Sequence, residues 1–159
     1  MIPDTKFILI AHNIRSLHNV GSLFRTADSL GVSKIYLTGY TGTPPNSKID
    51  KVALGAEKFV QWEYHQSPVR LINQLRKNNP GLTIVALENN IRSKKLIKLD
   101  KFKPKFPLAL IIGEEVKGVS KKLLSFSDQI VEIPMRGEKE SLNVSVAFGI
   151  AAYAMLKQK

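Results

Sequence analysis

The sequence predicts a single α/β domain over residues 1–159, with a mostly parallel β-sheet and helices on both of its faces. Three observations support this class. The length of 159 residues suits one hydrophobic core. Short unbroken apolar runs are typical of strands that are covered on both faces. Segments with apolar residues at helical spacing alternate with those runs, and no repeat or linker divides the chain.

The first third of the chain predicts a strand, a helix, a second strand and a loop. Phe7–Ala11 is an unbroken apolar run, which is typical of a buried strand. Over Asn19–Leu30 the apolar residues follow helical spacing, and Gly31 marks the end of that helix. Ile35–Thr38 predicts another strand, and the turn-rich Thr41–Asn46 predicts a loop.

The remaining elements continue this alternation. Strands are predicted at Phe59–Tyr64, Leu82–Leu87, Leu108–Ile112 and Gln129–Ile133, and helices at Pro68–Lys77, Val119–Phe126 and Val144–Leu156. The last helix is apolar nearly all round, so we expect it to be buried. Open α/β sheets bind ligands at the carboxyl ends of their strands, so we expect the functional loops at that edge.

The charge balance favours a polyanionic partner. Twenty-four Lys and Arg residues against 13 Asp and Glu residues give a net charge of +11, a field that attracts nucleic acid. An anionic membrane is less favoured because no amphipathic basic helix stands out. A lysine-rich surface without a partner is the alternative. Seven basic residues lie between Arg92 and Lys105, opposed only by Asp100.

The composition excludes several classes of protein. No apolar run approaches the roughly 18–20 residues of a membrane span, and Met1–Lys6 lacks the features of a secretory signal. The absence of cysteine excludes disulfides, thiolate metal sites, iron–sulfur clusters and cysteine nucleophiles. The three histidines show no ligand spacing, so no metal site is predicted. We therefore expect a cytoplasmic protein.

A glycine-containing loop follows a predicted buried strand. Gly113 and Gly118 have the spacing of a phosphate-binding P-loop, but Val119 stands at the position of its lysine. Glu114 and Glu115 place two carboxylates where a triphosphate needs donors, and each like-charge pair costs on the order of 1–4 kcal/mol. The loop instead favours a nucleotide-like ligand with an exposed ribose and little negative charge. Solvated turn residues are the alternative.

A second cluster precedes the terminal helix. Ile133–Gly137 is a bend after a strand, and Ser141–Asn143 leads into the helix. Ser and Asn are preferred N-cap residues, so capping alone explains them. The bend and the apolar Leu142 also suit a flat ring with an attached sugar.

A third cluster spans the first loop and helix. Asn19 and Arg25 lie six residues apart, and Gly21 between them permits the close approach of another backbone. Arginine binds phosphate oxygens bidentately, while an intramolecular salt bridge is the alternative role for Arg25.

Together these segments resemble the SpoU/TrmH branch of the SPOUT methyltransferases. Asn19–Ala27 resembles the first motif of that family, Ile111–Ser120 its second, and Ile133–Gly137 with Ser141–Ala147 its third. Leu54–Glu57 resembles a segment common in the TrmH type. The order and the spacing agree over essentially the whole chain.

The resemblance implies S-adenosylmethionine as the methyl donor, with S-adenosylhomocysteine as product, and the ribose 2′-hydroxyl of an RNA as acceptor. It also implies an obligate homodimer and a C-terminal trefoil knot, a topology otherwise nearly absent from proteins. By this resemblance we expect a compact family member without the N-terminal RNA-binding domain of many larger relatives, which favours tRNA over rRNA. A non-catalytic RNA-binding protein with the same fold is the alternative.

The same resemblance implies the site residues. The adenosine of the donor is expected among Leu87, Gly113, Ile133, Met135 and Leu142, and the catalytic residues are Asn19, Arg25, Glu115, Ser141 and Asn143. A guanidinium keeps its proton in proteins, so we interpret Arg25 as a clamp on the substrate phosphate that also stabilises the developing oxyanion. The other four residues are expected to position Arg25, the ribose and the donor. The predicted RNA contacts are Arg15, Lys94, Lys95, Lys98, Arg136 and Lys139.

Overall fold

A seven-stranded parallel sheet forms the centre of the molecule. The computed structural model describes residues 6–158, so residues 1–5, where the absence of a secretory signal was predicted, lie outside it. The strands are β1 (Phe7–His12), β2 (Lys34–Thr38), β3 (Trp62–His65), β4 (Thr83–Leu87), β5 (Leu96–Lys98), β6 (Leu108–Ile112) and β7 (Gln129–Glu132). Their order is β3-β2-β1-β6-β4-β7-β5, and every neighbouring pair is parallel. The predicted parallel sheet is confirmed.

Helices cover both faces of the sheet. They are α1 (Leu17–Leu30), α2 (Ser47–Ala53), α3 (Pro68–Asn78), α4 (Lys121–Phe126) and α5 (Val144–Leu156), with short 3₁₀ helices at Ala56–Lys58 and Leu99–Lys101. One core lies under α1 and α5 and contains Phe24 and Phe148; the other lies under α3 and α4 and contains Leu71 and Leu123. The predicted α/β class with helices on both faces is confirmed.

The apolar runs are unbroken because the central strands are covered on both sides. In β1, Phe7, Leu9 and Ala11 belong to the first core, whereas Ile8 and Ile10 belong to the second. All five residues of β6 are buried for the same reason. The carboxyl ends of β1, β6, β4 and β7 therefore lie side by side at one edge of the sheet.

One local prediction is wrong, and two short elements were not predicted. Phe59 is 78% exposed and ends the 3₁₀ helix, so β3 begins only at Trp62. The segment between β2 and β3 contains α2, which buries only Ile49 and Ala53 and so has little apolar periodicity. The lysine-rich stretch contains the short edge strand β5, paired with β7.

The composition of α5 predicts a helix that is buried all round, but the structure buries only part of it. Phe148 and Met155 are fully buried, but Val146, Ile150 and Tyr153 are 50%, 42% and 60% exposed. These three residues lie at spacings of four and three, so they form one apolar stripe on the outer face of α5.

Two further observations concern topology and membranes. The trefoil knot stays a prediction, because the strand order does not by itself define a knot. Within residues 6–158, no helix is long and apolar enough to cross a membrane.

Candidate functional site

Loops from β4, β6 and β7 enclose a cavity at the carboxyl edge of the sheet. Its volume is about 500 Å³, within the range of small-molecule sites. Among its lining residues are Leu87, Gly113, Glu115, Ile133, Ser141 and Leu142. Four of the five predicted adenosine contacts therefore meet here, although they are separated by up to 55 positions in the chain. The fifth, Met135, is not among the residues that line this cavity.

The loop after β6 turns so tightly that two glycines are required. A Cβ on Gly113 would overlap the backbone of Gly118, and Gly118 itself has a φ of +69°. A Cβ on Gly118 would also overlap the carboxylate of Glu88. The spacing that resembles a P-loop therefore serves a compact backbone turn, which leaves its inner surface open to a ligand.

Glu88 and Asn89 follow β4 and join the three loops, and sequence analysis missed both. The Glu88 carboxylate accepts hydrogen bonds from the amides of Val119 (2.6 Å) and Asn89 (2.9 Å). The Asn89 side chain donates to the carbonyl of Ile133 at 2.9 Å and accepts from its amide at 3.1 Å. The available signal was their place directly after a buried strand, at the edge where ligands bind.

Three predicted catalytic residues form one chain of hydrogen bonds. The Asn19 side-chain amide donates to Glu115 Oε1 at 3.1 Å, and the Asn143 amide donates to Asn19 Oδ1 at 3.1 Å. Asn143 Oδ1 accepts from the amide of Ser145 at 2.9 Å and so caps α5. The capping and the site interpretations of Asn143 are therefore compatible. This chain fastens the loop after β6 to the N-termini of α1 and α5.

Glu115 is a carboxylate surrounded by donors. Its Oε2 accepts from the amide of Arg15 at 3.1 Å, and its Oε1 accepts from the amide of Ser16 at 3.0 Å. Burial acts to raise the pKa of Glu115, but these hydrogen bonds and the one from Asn19 outweigh it and hold the pKa below its ordinary value. Glu115 therefore remains ionised and acts as a positioning residue.

Arg25 lies apart from the other predicted catalytic residues. Its side chain is exposed, is not among the lining of the cavity and makes no hydrogen bond or ion pair within residues 6–158. It follows Asn19 by six residues, which displaces it about 9 Å along α1 and about 120° around it. The prediction that the other four residues position Arg25 stays a prediction; within residues 6–158, Asn19, Glu115 and Asn143 form hydrogen bonds with one another and not with the Arg25 side chain. The alternative of an intramolecular salt bridge is also not seen.

The predicted RNA contacts divide between two edges of the sheet. Arg136 and Lys139 are exposed on the loop between β7 and α5, at the carboxyl edge. The Lys95 ammonium donates to the carbonyls of Ser125 (3.2 Å) and Ser127 (2.8 Å), just before the amino end of β7. The lysine-rich stretch thus passes the amino end of β7 at Lys95, which is engaged within the fold, and reaches the carboxyl end of that strand at Lys98, which pairs with Glu132. Lys94 and Lys98 are exposed.

Comparison with known proteins identifies the family. The model of the SpoU rRNA methylase family matches residues 6–153. The chain belongs to this family. The predicted resemblance to SpoU/TrmH enzymes is confirmed, and the class of enzyme with it, an RNA methylase.

Two relatives of this SpoU family member are named for different RNA substrates. A tRNA (guanosine(18)-2′-O)-methyltransferase of Aquifex aeolicus is 34% identical over 153 residues, covering 96% of this chain and 69% of the relative. A 23S rRNA (guanosine-2′-O-)-methyltransferase RlmB of Vibrio parahaemolyticus is 30% identical over 158 residues, covering 98% and 61%. The chain thus spans about three fifths of the length of that second relative.

Solved structures agree on the fold. The TrmH/SpoU tRNA modifying enzyme of A. aeolicus has a TM-score of 0.84 at 30% identity, covering 97% of this chain and 75% of that one. AviRb of Streptomyces viridochromogenes, solved in complex with the cofactor AdoMet, has a TM-score of 0.88 at 22% identity. This match covers 99% of this chain and 59% of AviRb, and at this level of identity it shows the fold alone.

Proposed function

We propose that this SpoU family member transfers the methyl group of S-adenosylmethionine to a ribose 2′-hydroxyl of a structured RNA, with tRNA as the preferred class. The observation that carries the proposal is the convergence of three loops on one cavity whose wall is fastened, through Glu115 and Asn19, to the helix that bears Arg25. The relatives named for 23S rRNA support rRNA as the second candidate.

The cavity fits the methyl donor. The compact turn at Gly113 and Gly118 forms part of the cavity wall, and Leu87, Ile133 and Leu142 supply apolar walls for a flat ring. When bound, S-adenosylmethionine supplies an electrophilic methyl group on a positive sulfonium. The ionised Glu115 beside the cavity favours a cation, whereas it would oppose a triphosphate.

The chain's own residues then have two kinds of role. Asn19, Glu115 and Asn143 position the loop and the helix ends, as their mutual hydrogen bonds support. Ser141 lines the cavity with its hydroxyl available to a sugar. Arg25 is free to bind a phosphate of the RNA and to stabilise the oxyanion as the acceptor hydroxyl loses its proton to that phosphate or to water. In-line methyl transfer depends mainly on such positioning.

A homodimer completes this site. Arg25 does not line the cavity of its own chain, and the apolar stripe Val146, Ile150 and Tyr153 lies on α5, which packs against α1. Thr26 of α1 faces Gly149 of α5, so Arg25 lies beside this stripe. A second copy that covers the stripe would bring an arginine from α1 to the cavity of its neighbour.

The RNA approaches the carboxyl edge. Arg15, Arg136 and Lys139 are exposed there and suit phosphate contacts. Lys98, at the carboxyl end of β5, lies at the same edge, whereas Lys94 would contact only an RNA large enough to reach past the sheet. A chain without cysteine suits the reducing cytoplasm, where we place the reaction.

The experiment is methyl transfer in vitro to total RNA from a strain that lacks this protein, with S-adenosylmethionine labelled in its methyl group. We expect label in RNA, at a position whose 3′ phosphodiester resists alkali because the 2′-hydroxyl is blocked. Arg25→Ala is the matched inactive variant. A wild-type protein that binds RNA but transfers no label would contradict the proposal and favour the non-catalytic alternative.

A further inference from the structure

We propose that a second cavity, beside the first, holds one unpaired nucleotide of the RNA, with its base stacked on Tyr40 and its phosphate at Arg15. This inference rests on the proposed function, since it names where the RNA is held. The cavity has a volume of about 590 Å³ and is lined by residues that include His12, Arg15, Tyr40, Glu114 and Lys117.

The second cavity adjoins the first through a common wall. Glu114, Lys117 and Gly118 of the loop after β6 line both cavities. A nucleotide in the second cavity therefore lies one loop away from the proposed methyl donor. That separation suits a nucleotide of the same RNA strand whose neighbour presents its ribose to the donor.

Tyr40 is an exposed aromatic residue on a rigid backbone. It is 55% exposed, yet its amide donates to Asn13 Oδ1 at 2.9 Å. Asn13 has a φ of +55° and Gly39 a φ of +66°, and a Cβ on Gly39 would overlap the Asn13 side chain. These contacts fix the backbone that carries an exposed aromatic side chain, and such a side chain offers a face on which a base stacks.

The charges around Tyr40 suit a phosphate. Arg15 is exposed, and only its backbone amide is engaged, with Glu115. Lys117 is exposed as well, and Glu114 opposes these two cations. Desolvation and the neighbouring Glu114 carboxylate raise the pKa of Tyr40, so the phenol stays neutral, and the two cations outnumber the single carboxylate. The cavity is thus left with net positive charge.

His12 adds a neutral polar group to the floor of the cavity. Its Nδ1 lies 2.9 Å from Thr38 Oγ1, and burial lowers the pKa of His12 below its ordinary value. A neutral imidazole near a base edge can donate or accept a hydrogen bond without attracting a second phosphate. An aromatic face, a guanidinium and a polar edge together match a nucleotide better than a free anion.

The test replaces the aromatic side chain of Tyr40 by an apolar side chain that has no ring. Tyr40→Leu is expected to weaken the binding of unfractionated tRNA about tenfold, since stacking on one aromatic ring contributes about that much. Tyr40→Phe should retain wild-type affinity. Phe59→Leu is the matched control, because Phe59 is 78% exposed and lies at the opposite edge of the sheet. Fluorescence anisotropy measures the RNA affinity, and calorimetry measures the affinity for S-adenosylmethionine, which should change less than twofold.

The proposed phosphate contact at Arg15 is tested by the salt dependence of RNA binding. Arg15→Ala should reduce the slope of log K against log salt concentration by about 0.7–0.9, the loss of one phosphate contact. Arg70→Ala, an exposed arginine on α3, should leave the slope unchanged.

Two outcomes overturn the inference: RNA affinity unchanged in Tyr40→Leu, or an equal loss in Phe59→Leu. Its failure can be distinguished from failure of the proposed function. A wild-type protein that transfers no methyl group but binds RNA through Tyr40 would contradict the proposed function alone. Active Tyr40→Leu with normal RNA affinity would contradict only the nucleotide cavity.

Discussion

Arg25 and Glu115 differ in what surrounds their charges. The Glu115 carboxylate accepts hydrogen bonds from Arg15, Ser16 and Asn19, so its charge is used to hold the loop after β6 in place. The Arg25 guanidinium lies in solvent without a partner in residues 6–158. Glu115 therefore stabilises the structure, whereas Arg25 is the residue that we propose acts on the RNA.

Replacing Arg25 should change the rate of methyl transfer without changing the stability of the fold. Arg25→Ala is expected to lower kcat for methyl transfer by about 10²–10³, the usual loss on removal of one oxyanion donor. Arg25→Lys should recover little, because an ammonium cannot form the bidentate contact. The melting temperature and the affinity for S-adenosylmethionine should stay at wild-type values. Near-full turnover by Arg25→Lys with normal RNA binding would contradict the clamp.

Glu115 gives the fold a dependence on acid pH. Its pKa in the folded state lies below the ordinary value of 4.5, so its contribution to stability is fully present above that pH and is lost as the pH falls through the folded-state pKa. Glu115→Gln should lower the melting temperature by a constant amount between pH 6 and 8, and the difference should shrink below about pH 4.5. Thermal unfolding at several pH values measures this. A difference that stays constant down to pH 3 would contradict the ionised state of Glu115.

Sequence analysis could place some of these residues and not others. The resemblance brought Asn19, Glu115 and Asn143 to one site, and their hydrogen bonds show that they meet. Glu88 and Asn89 carry no motif, because their partners Val119 and Ile133 become neighbours only when β4 pairs with β6 and β7. The separation of Arg25 from the cavity likewise depends on the turn of α1 in three dimensions.

Among the elements, α1 and α2 approach each other unusually closely at Gly21. A Cβ there would lie 2.6 Å from the carbonyl oxygen of Ile49 and 2.9 Å from the Cβ of Val52. The close backbone approach that Gly21 was expected to permit is therefore that of α2. This contact fixes α1, and with it Asn19, against the sheet.

Gly21→Ala tests this packing. Alanine gains about 1 kcal/mol in helix propensity, but the overlap costs about 1–3 kcal/mol, so we expect a net loss of about 1 kcal/mol in the free energy of unfolding. Gly149→Ala in α5 is the matched control, since its Cβ would meet only Thr26 Cγ2 at an ordinary 3.5 Å. Urea unfolding should show the control as stable as wild type or more so. Stabilisation by Gly21→Ala would contradict the close contact.

Elements were predictable from sequence where burial imposes a pattern. β1, β6 and β4 are covered on both faces and so read as apolar runs. The half-exposed α2 and the three-residue β5 bury too few side chains to leave such a pattern. Their formation depends on neighbours that are distant in sequence.

At the scale of the whole molecule, the strand order brings the loops of the candidate site together. β4 lies between β6 and β7, so the loops that follow these three strands meet at one edge although they are far apart in sequence. Alternation of strands and helices predicts the parallel sheet but not this order. The homodimer implied by the resemblance stays a prediction, and the exposed stripe on α5 is the surface proposed for it.

A charged residue introduced into the apolar stripe of α5 should separate the two subunits of the proposed dimer. Ile150→Asp is expected to convert a dimer into a monomer, because an aspartate would have to lose its water in the interface. Light scattering after size exclusion measures the mass, and methyl transfer should fall as the dimer is lost. Phe59→Asp, on an exposed apolar residue outside α5, should remain dimeric. A wild-type chain that is monomeric and active would contradict the shared site.

The most direct measurement of the central claim is a calorimetric titration of the protein with S-adenosylmethionine. We predict one donor bound per chain, and an affinity about tenfold lower, or about 1.4 kcal/mol, in Gly118→Ala, whose Cβ would displace Glu88 at the cavity. Gly81→Ala has the same kind of backbone strain, with a φ of +86°, but open space around it, and should bind as wild type does. Absence of binding to the wild type, or equal affinities for all three proteins, would contradict the claim that these loops hold the methyl donor.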